Sequence, residues 1–383
     1  MNILFIGSSS DFHIDLWAKY FTETHNVYLF SEKEDYLTNK PFHNIEIIYS
    51  SGIFGWLLNY LQSDSHRLFQ LNKLISTYLY SKIINKIIDD KNIDIVHAHN
   101  LYQGFIASFI KRKTPIVFTP MGSDVILHAQ NNFIYRYMAK RAFKKADIVT
   151  SDSKLLQKKG YAVGAKKNNN YIVQNGVDSK MFFPKENGIK KLLNIEEEDI
   201  LLFSPRGLDD IYNIEYILKS VSKLRNENYT IRCMISYGFG DAKLKKLKKL
   251  ILKYNIEDNI IWIGSLEYHQ MPEYYNAADI VLSVPSSDSS PKSVYEAMFC
   301  EKPVIVSDID WVYENLEGKN CILKVNPRDS KSLKEAISLL VNDKALKKII
   351  SKNAKLVAKE YYDYYENMRF MESLMFKILR NTK

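Results

Sequence analysis

Short apolar runs recur from one end of this chain to the other, separated by stretches whose apolar positions repeat every three to four residues. Seven runs in the first half read as strands: Asn2–Gly7, Val27–Ser31, Ile45–Ser50, Ile93–His99, Pro115–Thr119, Asp147–Ser151 and Tyr171–Gln174. Six more follow after a break: Ile200–Ser204, Thr230–Ser236, Asn259–Gly264, Asp279–Val284, Pro303–Ser307 and Cys321–Val325. Most are continuous rather than alternating, the pattern of parallel strands covered on both faces. Helical periodicity fills the gaps over Leu68–Ile88, Ile134–Lys145, Ile214–Leu224, Leu244–Tyr254 and Leu333–Leu340. Alternating strands and helices predict a doubly wound α/β sheet, and the alternation occurs twice. Between the halves, Asn175 to Glu198 carries charge and turn chemistry, at Asn175-Gly176 and Pro184. The pattern therefore predicts two Rossmann-like βαβ domains facing each other across a cleft. They are expected at 1–178 and 179–361, with a C-terminal helix at about 362–383 packing back on the first. Ligands of such sheets bind outside the carboxyl ends of the strands, so residues just after strands are the ones to inspect.

At 383 residues the chain is too long for one ordinary core. Its 46% hydrophobic and 25% charged content excludes a disordered chain, and no apolar run is long enough to span a bilayer. MNILFIGSSS has no basic start and no small-residue cleavage site, so it reads as a first strand rather than a signal peptide. Cys233, Cys300 and Cys321 are spaced for neither a disulfide framework nor a zinc site, which points to a reducing cytoplasm. The net charge of +9 is concentrated between Arg136 and Lys167, where ten Lys and Arg face only Asp147 and Asp152. A basic face suits an anionic membrane, nucleic acid or phosphate-bearing substrates; a merely solvated Lys-rich surface is an equal reading. No zinc-finger spacing, RNP-like aromatic pair or helix-turn-helix signal accompanies it, so nucleic acid is not an expected partner.

The richest stretch is VPSSDSSPKSVYEAMFCEKPVIVS, Val284–Ser307. Ser290-Pro291 reads as an N-cap followed by proline at the first helical position, opening a helix Pro291–Phe299. Its free N–H groups suit phosphate or sugar hydroxyls, placing Ser289, Ser290, Pro291, Lys292 and Ser293 at a candidate site for such a ligand. Asp288 and Glu296 could hold different parts of one ligand. Equally, Asp288 could cap the helix and Glu296 make a surface ion pair. Arg206, followed by Gly207, sits just after a strand, where a guanidinium can fork onto diphosphate oxygens; the competing reading pairs it with Asp209 or Asp210. In the first half, Gly122 permits close backbone approach to a ligand, beside Ser123 and Asp124, and Asp124 could instead cap the next helix. His97 and His99 point to one face of a strand end, followed by Asn100. No further ligand lies near them, so hydrogen bonding outweighs metal binding. Ser8 to His13 lacks the G-x-G-x-x-G of a dinucleotide fold, which argues against a dehydrogenase. Asp308-Ile309-Asp310 has a D-x-D form but reads as a turn. Ile53–Tyr60 (IFGWLLNY) reads first as domain core.

Asp288 to Glu296, with Ala297-Met298 and Pro303-Val304-Ile305, resembles the E-x7-E signature of family-4 retaining glycosyltransferases of the GT-B fold. Asp288 replaces the usual first Glu, and Glu301 stands where that family usually has Gly. Arg206 matches the arginine of the family's G-R-L…K-G motif, while Ile211-Tyr212-Asn213 occupies the region of its lysine. Gly122-Ser123-Asp124 matches H-G-S-D with Met121 in place of the histidine. Asp94 to His99 is similar to D-V-V-H-A-H, and Gln174 to Pro184 to the P-N-G-V-D…F…P linker. The resemblance implies an acceptor-side first domain and a nucleotide-sugar-binding second domain. It implies that Glu296 grips the ribose, the Asp288 loop the transferred sugar and Arg206 the diphosphate. His13, His99, Asn100 and Asp124 fall on the acceptor side. In members with lipid-linked acceptors, the region of Ile53–Tyr60 meets the membrane.

The implied activity is transfer of a hexosyl or N-acetylhexosaminyl unit, with retention, from a nucleotide sugar to a glycan or lipid-linked saccharide in cell-surface polysaccharide synthesis. UDP is the family's commonest base. No cofactor or metal is expected, since the nucleotide sugar is a substrate. The expected location is cytoplasmic, with peripheral attachment to the inner face of the plasma membrane as a variant. A nucleotide-sugar epimerase or hydrolase of the same fold, and a non-catalytic partner protein, are the rival readings.

Overall fold

Every run read above as a strand folds as one, and the strands assort into two all-parallel sheets. The computed structural model describes residues 1–32, 44–50, 66–111, 113–238 and 241–382, so Ile53–Tyr60 lies outside the described residues. The first sheet holds β1 (Asn2–Ile6), β2 (Asn26–Ser31), β3 (Glu46–Tyr49), β4 (Ile95–His99), β5 (Ile116–Thr119), β6 (Ile148–Ser151) and β7 (Asn170–Ile172). The second holds β8 (Ile200–Ser204), β9 (Ile231–Ser236), β10 (Ile260–Gly264), β11 (Ile280–Ser283), β12 (Val304–Ser307) and β13 (Leu323–Val325). Their orders are β3-β2-β1-β4-β5-β6-β7 and β10-β9-β8-β11-β12-β13. In each, the chain winds outward from a central pair, β1/β4 or β8/β11, and reverses direction there. Such a reversal opens a crevice at the carboxyl edge.

The sheets belong to separate compact units. One comprises Met1–Asn175 with Tyr365–Lys383, the other Gly176–Tyr364. Strand alternation feeds both faces of each sheet. In β8, Leu201 and Phe203 pack into one buried cluster with Tyr275, Val294 and Met298, while Leu202 enters the other with Ile217, Leu218 and Val221. In the first unit, Leu4, Ile6, Val96 and Ala98 pack against Tyr80, Ile84 and Ile87 of the helix His66–Asp90. Each fully buried aliphatic side chain contributes about 1.5–3 kcal/mol, which is why continuous apolar runs are informative.

Most strand ends shift by one or two residues from the sequence expectation, and two shifts at site-bearing elements have a visible cause. β4 begins at Ile95 rather than Ile93, because Asn92 turns the chain at φ 48° and Asp94 is tied to Asn2, its carboxylate accepting the Asn2 N–H at 2.7 Å. The helix expected from Pro291 begins at Lys292. Pro291 is its N-cap, held extended at ψ 97°, and the Ser290 hydroxyl lies 3.3 Å from that of Tyr295 instead of capping.

The N-G-V-D segment has a steric cause. Gly176 adopts φ 69°, and a Cβ there would lie 2.5 Å from the Tyr364 Cα. Only glycine lets Val177 pair with Asp363, exchanging backbone hydrogen bonds with Tyr362 and Tyr364.

Candidate functional site

Two loops leave the central strands of the second sheet, and hydrogen bonds join them. The Ser286 N–H donates to the Ile211 carbonyl at 2.7 Å. Asn213, at φ 57°, donates its amide to the Val284 carbonyl at 2.8 Å and to Ser286 Oγ at 2.9 Å. The region where the sequence lacks a lysine is thus a fixed strut between the β8 and β11 loops.

Arg206 lies on that strut. Its Nη2 donates to Asp288 Oδ2 at 2.8 Å and its Nη1 to Ser293 Oγ at 3.1 Å, and its guanidinium stacks 4.6 Å above the Tyr212 ring. The pair is largely enclosed, the side chains being 16% and 14% exposed. Asp209 and Asp210 do not take Arg206; both face Lys243, at 2.9 and 3.7 Å. Asp288 does not cap the helix either. Its Oδ1 accepts the N–H groups of Ser289 and Ser290, at 2.8 and 3.3 Å, which fixes the loop that leads into the helix. Gly207 faces the Tyr212 ring.

Glu296 lies in the second turn of the helix Lys292–Phe299 and is 5% exposed, so the surface ion pair considered from sequence does not form. Tyr275, from the helix Met271–Ala277, donates to Glu296 Oε2 at 2.8 Å. Burial pushes the Glu296 carboxyl above the usual carboxylate range. Lys292 opposes that most strongly, followed by the hydroxyls of Tyr275 and Tyr268 and then by Arg206. The same burial, together with the Glu296 charge, raises both tyrosines. Arg206, Asp288, Ser289, Ser290, Pro291, Lys292, Ser293 and Glu296 therefore gather at one edge of one sheet. Tyr268 and Tyr275 went unnoticed in the sequence, and Tyr212 was noted only as part of the segment that replaces the family's lysine. Tyr268 and Tyr275 stand seven residues apart, two helical turns, which was the available signal.

The candidates of the first unit are placed differently. His99 is fully buried, its ring 4.4 Å from that of His97 and edge-on to Trp17 at 5.3 Å. His97 Nε2 is hydrogen-bonded to Thr119 Oγ1 at 2.8 Å, and Thr119 to Thr150 at 2.7 Å. Burial drops His99 to about 3 and holds His97 well below the usual histidine range. Asn100, at φ 66°, caps the helix Leu101–Ala107 by accepting the Gln103 N–H at 3.1 Å. Gly122 takes φ 92°, with Ser123 exposed beside it. Asp124 Oδ2 accepts N–H groups from Leu101 and Met121 at 2.7 and 3.2 Å, tying the loops after β4 and β5. His13 lies in the first turn of the helix Phe12–Phe21, after β1. Asp308 of the D-x-D tripeptide is held by Tyr313 and Lys324.

The model of the glycosyl transferases group 1 matches residues 184–357, and that of glycosyl transferase 4-like proteins residues 2–153. An uncharacterized glycosyltransferase of Methanocaldococcus jannaschii is 26% identical over 303 residues, which cover 76% of this chain and 77% of that one. The N,N'-diacetylbacillosaminyl-diphospho-undecaprenol alpha-1,3-N-acetylgalactosaminyltransferase of Campylobacter jejuni is 24% identical over 267 residues, 65% of this chain and 64% of its own. Among solved structures, Anabaena HepE in complex with UDP has the same fold, with a TM-score of 0.79 at 17% identity over 98% of this chain and 100% of that one.

Proposed function

This chain is a group 1 glycosyltransferase of the GT-B fold, and from that premise we propose that it moves a sugar from a UDP-linked donor to a glycan or lipid-linked saccharide acceptor, with retention at the anomeric carbon. The observation that carries the reading is the meeting of Arg206, Asp288, Ser293 and Glu296 at the β8/β11 reversal. Arg206 has five N–H donors, so its contacts to Asp288 and Ser293 leave others for diphosphate oxygens. The first N–H groups of the helix Lys292–Phe299, which no side chain caps, add a positive dipole end at the same place. Glu296 accepts the ribose hydroxyls, and Asp288 accepts those of the transferred hexosyl or N-acetylhexosaminyl unit.

Retention follows when the acceptor oxygen attacks from the face that the diphosphate leaves, so no protein nucleophile is needed. The acceptor hydroxyl loses its proton as the anomeric bond breaks, and the departing diphosphate is the nearest base. Catalysis then consists of holding the two substrates together and stabilising the leaving group's charge with Arg206 and the helix N-terminus. This scheme uses no metal, so activity should persist in EDTA; activity restored only by manganese or magnesium would overturn that part.

The UDP assignment draws on the Anabaena structure, and the lipid-linked acceptor on the Campylobacter relative. The Campylobacter relative's lipid-linked substrate supports a role in cell-surface polysaccharide or glycolipid synthesis, which we place at the cytoplasmic side of a membrane. Among the described residues no helix is long and apolar enough to cross a bilayer. The helix Phe133–Lys145 instead presents Phe133, 81% exposed, and Tyr137 beside Arg136, Lys140 and Lys144, a face suited to an anionic lipid surface. The deciding experiment is a thermal-shift screen of UDP-, GDP- and CMP-sugars, followed by transfer to lipid-linked saccharides. A ligand that binds the folded state raises the melting temperature. Stabilisation by none of the three classes would remove the proposal.

A further inference from the structure

Lys292 occupies a costly place. It opens a helix, where the dipole disfavours a cation, and its ammonium nitrogen is shut off from solvent. A lysine has a flexible stem and would ordinarily extend into water. Here it folds inward, with Nζ 4.7 Å above the Tyr268 ring. Glu296 lies four residues on, one turn up the same helix face. We propose that Lys292 is a positioning residue of the donor site, the internal counter-ion that keeps the enclosed Glu296 carboxyl ionised and ready to accept two ribose hydroxyls. The inference rests on the reading of Glu296 as the ribose-binding group.

The surroundings of Glu296 leave few alternatives. Tyr275 faces it from the helix Met271–Ala277 at 2.8 Å, and Tyr268 from the turn before that helix. Both are neutral donors, which stabilise a carboxylate without neutralising it. Cys300, one turn onward, carries no compensating charge. Arg206 reaches from the loop after β8, but its guanidinium is engaged with Asp288, and it is the weakest of the named influences on Glu296. Asp178 faces Lys292 and Tyr268, so it supports the ammonium and keeps the Tyr268 hydroxyl protonated. Burial pulls the lysine below its ordinary range while Glu296 and Asp178 hold it up. Among the described residues, Lys292 is thus the cation that weighs most on Glu296. Without it, an enclosed carboxyl with only hydroxyl neighbours takes up a proton more readily. A protonated carboxyl spends one oxygen as a donor and can no longer accept both hydroxyls of a ribose diol.

The test uses the full chain and its Lys292→Met and Lys292→Arg variants, with UDP as probe, by calorimetry from about pH 5.5 to about 8.5. The readout is each variant's affinity relative to the parent, which cancels the ionisation of the nucleotide's own phosphate. Lys292→Met should bind UDP several-fold more weakly at the acid end and recover as pH rises, each unit of rise in the carboxyl pKa costing at most a factor of about ten. Lys292→Arg should keep a ratio near one throughout. In parallel, a carbon-13 titration of the Glu296 carboxyl without nucleotide should move upward in Lys292→Met and stay in place in Lys292→Arg. A pH-independent loss in Lys292→Met, or no loss, with an unmoved Glu296 titration, overturns the proposal. If the parent itself binds no UDP, the donor reading fails, and the carboxyl titration still decides whether Lys292 is the counter-ion.

Discussion

The Arg206 guanidinium and the Asp288 carboxylate meet at 2.8 Å although 82 residues separate them in the chain. The fold brings them together because β8 and β11 are neighbours and the chain leaves the two strands in opposite directions. The partly enclosed pair holds the fork in place before any ligand arrives, and leaves further guanidinium N–H groups for a diphosphate. Arg206→Ala should therefore cut transfer by about 10²–10³-fold, the usual cost of losing one electrostatic contact to a developing anion. Asp288→Ala should leave UDP affinity nearly intact, because the fork survives, while impairing use of the complete sugar donor. Initial rates beside calorimetry check both. Equal losses of UDP affinity in the two variants would contradict this division of labour.

Glu296→Ala is expected to weaken UDP and the UDP-sugar alike, since the ribose is common to both. The loss should appear in KM and in nucleotide Kd. Parent-like UDP binding by this variant would end the assignment of Glu296 to the ribose, and with it the strongest link between the E-x7-E pattern and this site.

Gly176→Ala should lower stability by at least about 1–2 kcal/mol, the cost of a left-handed conformation for a residue with a Cβ. The added carbon would also press on the Tyr364 backbone, which is 2.5 Å away. Denaturant unfolding measures it. A variant as stable as the parent would show that the Val177–Asp363 crossing can shift to make room.

Much of this architecture was legible in the sequence, for physical reasons that differ by element. The strands were visible because both faces of each sheet are covered, so residues such as Leu201, Leu202 and Phe203 are all apolar whichever way they point. Arg206 and Asp288 stood out because each follows a strand, and Glu296 because its spacing from Asp288 resembles the E-x7-E signature. Their partners did not. That Arg206 chooses Asp288 over Asp209 depends on strand order, which local spacing does not encode. Tyr268 and Tyr275 looked like ordinary aromatic fillers, and their hydroxyls acquire meaning only where Glu296 is enclosed beside them. Turn residues were obscured by composition. Among the described residues, eight of the ten non-glycine residues at positive φ are asparagines, and Glu301 takes φ 55° where the related family places glycine.

Anionic vesicles should recruit the protein through the helix Phe133–Lys145. Phe133→Ser should weaken binding at every ionic strength, and Lys140→Gln with Lys144→Gln should weaken it chiefly at low salt. Exposed charges are screened over about 8 Å at physiological ionic strength, whereas apolar burial is not screened. Arg141 is a poor choice for this test, because it is already engaged with Ser108 and the Phe109 ring. Equal binding to neutral and anionic vesicles would return this face to a simple solvated surface.

His97 and His99 make acid stability the most specific expectation outside the donor site. Both rings are fully buried, and neither nitrogen of His99 has a hydrogen-bond partner among the described residues. An imidazolium there would be desolvated, and charge on His13 opposes it at His99 as charge on His99 does at His97, so both groups stay neutral far below the ordinary value of 6.5. The unfolded chain protonates them near that value. Between about 6.5 and about 3 the unfolded state therefore binds more protons than the folded one, and stability falls as pH falls. The stabilisation is complete above 6.5 and is lost progressively below it, at up to about 1.4 kcal/mol per pH unit for each ring. His99→Phe keeps an aromatic ring against Trp17 and Phe5 and removes one titration. Whatever its stability at neutral pH, its denaturant midpoint should fall less steeply than the parent's as pH drops from about 6.5 to 5, a difference of about 1–2 kcal/mol by the acid end. Parallel curves for the two proteins would mean that His99 picks up its proton in the folded state as easily as in the unfolded chain, and that the core around it opens to water.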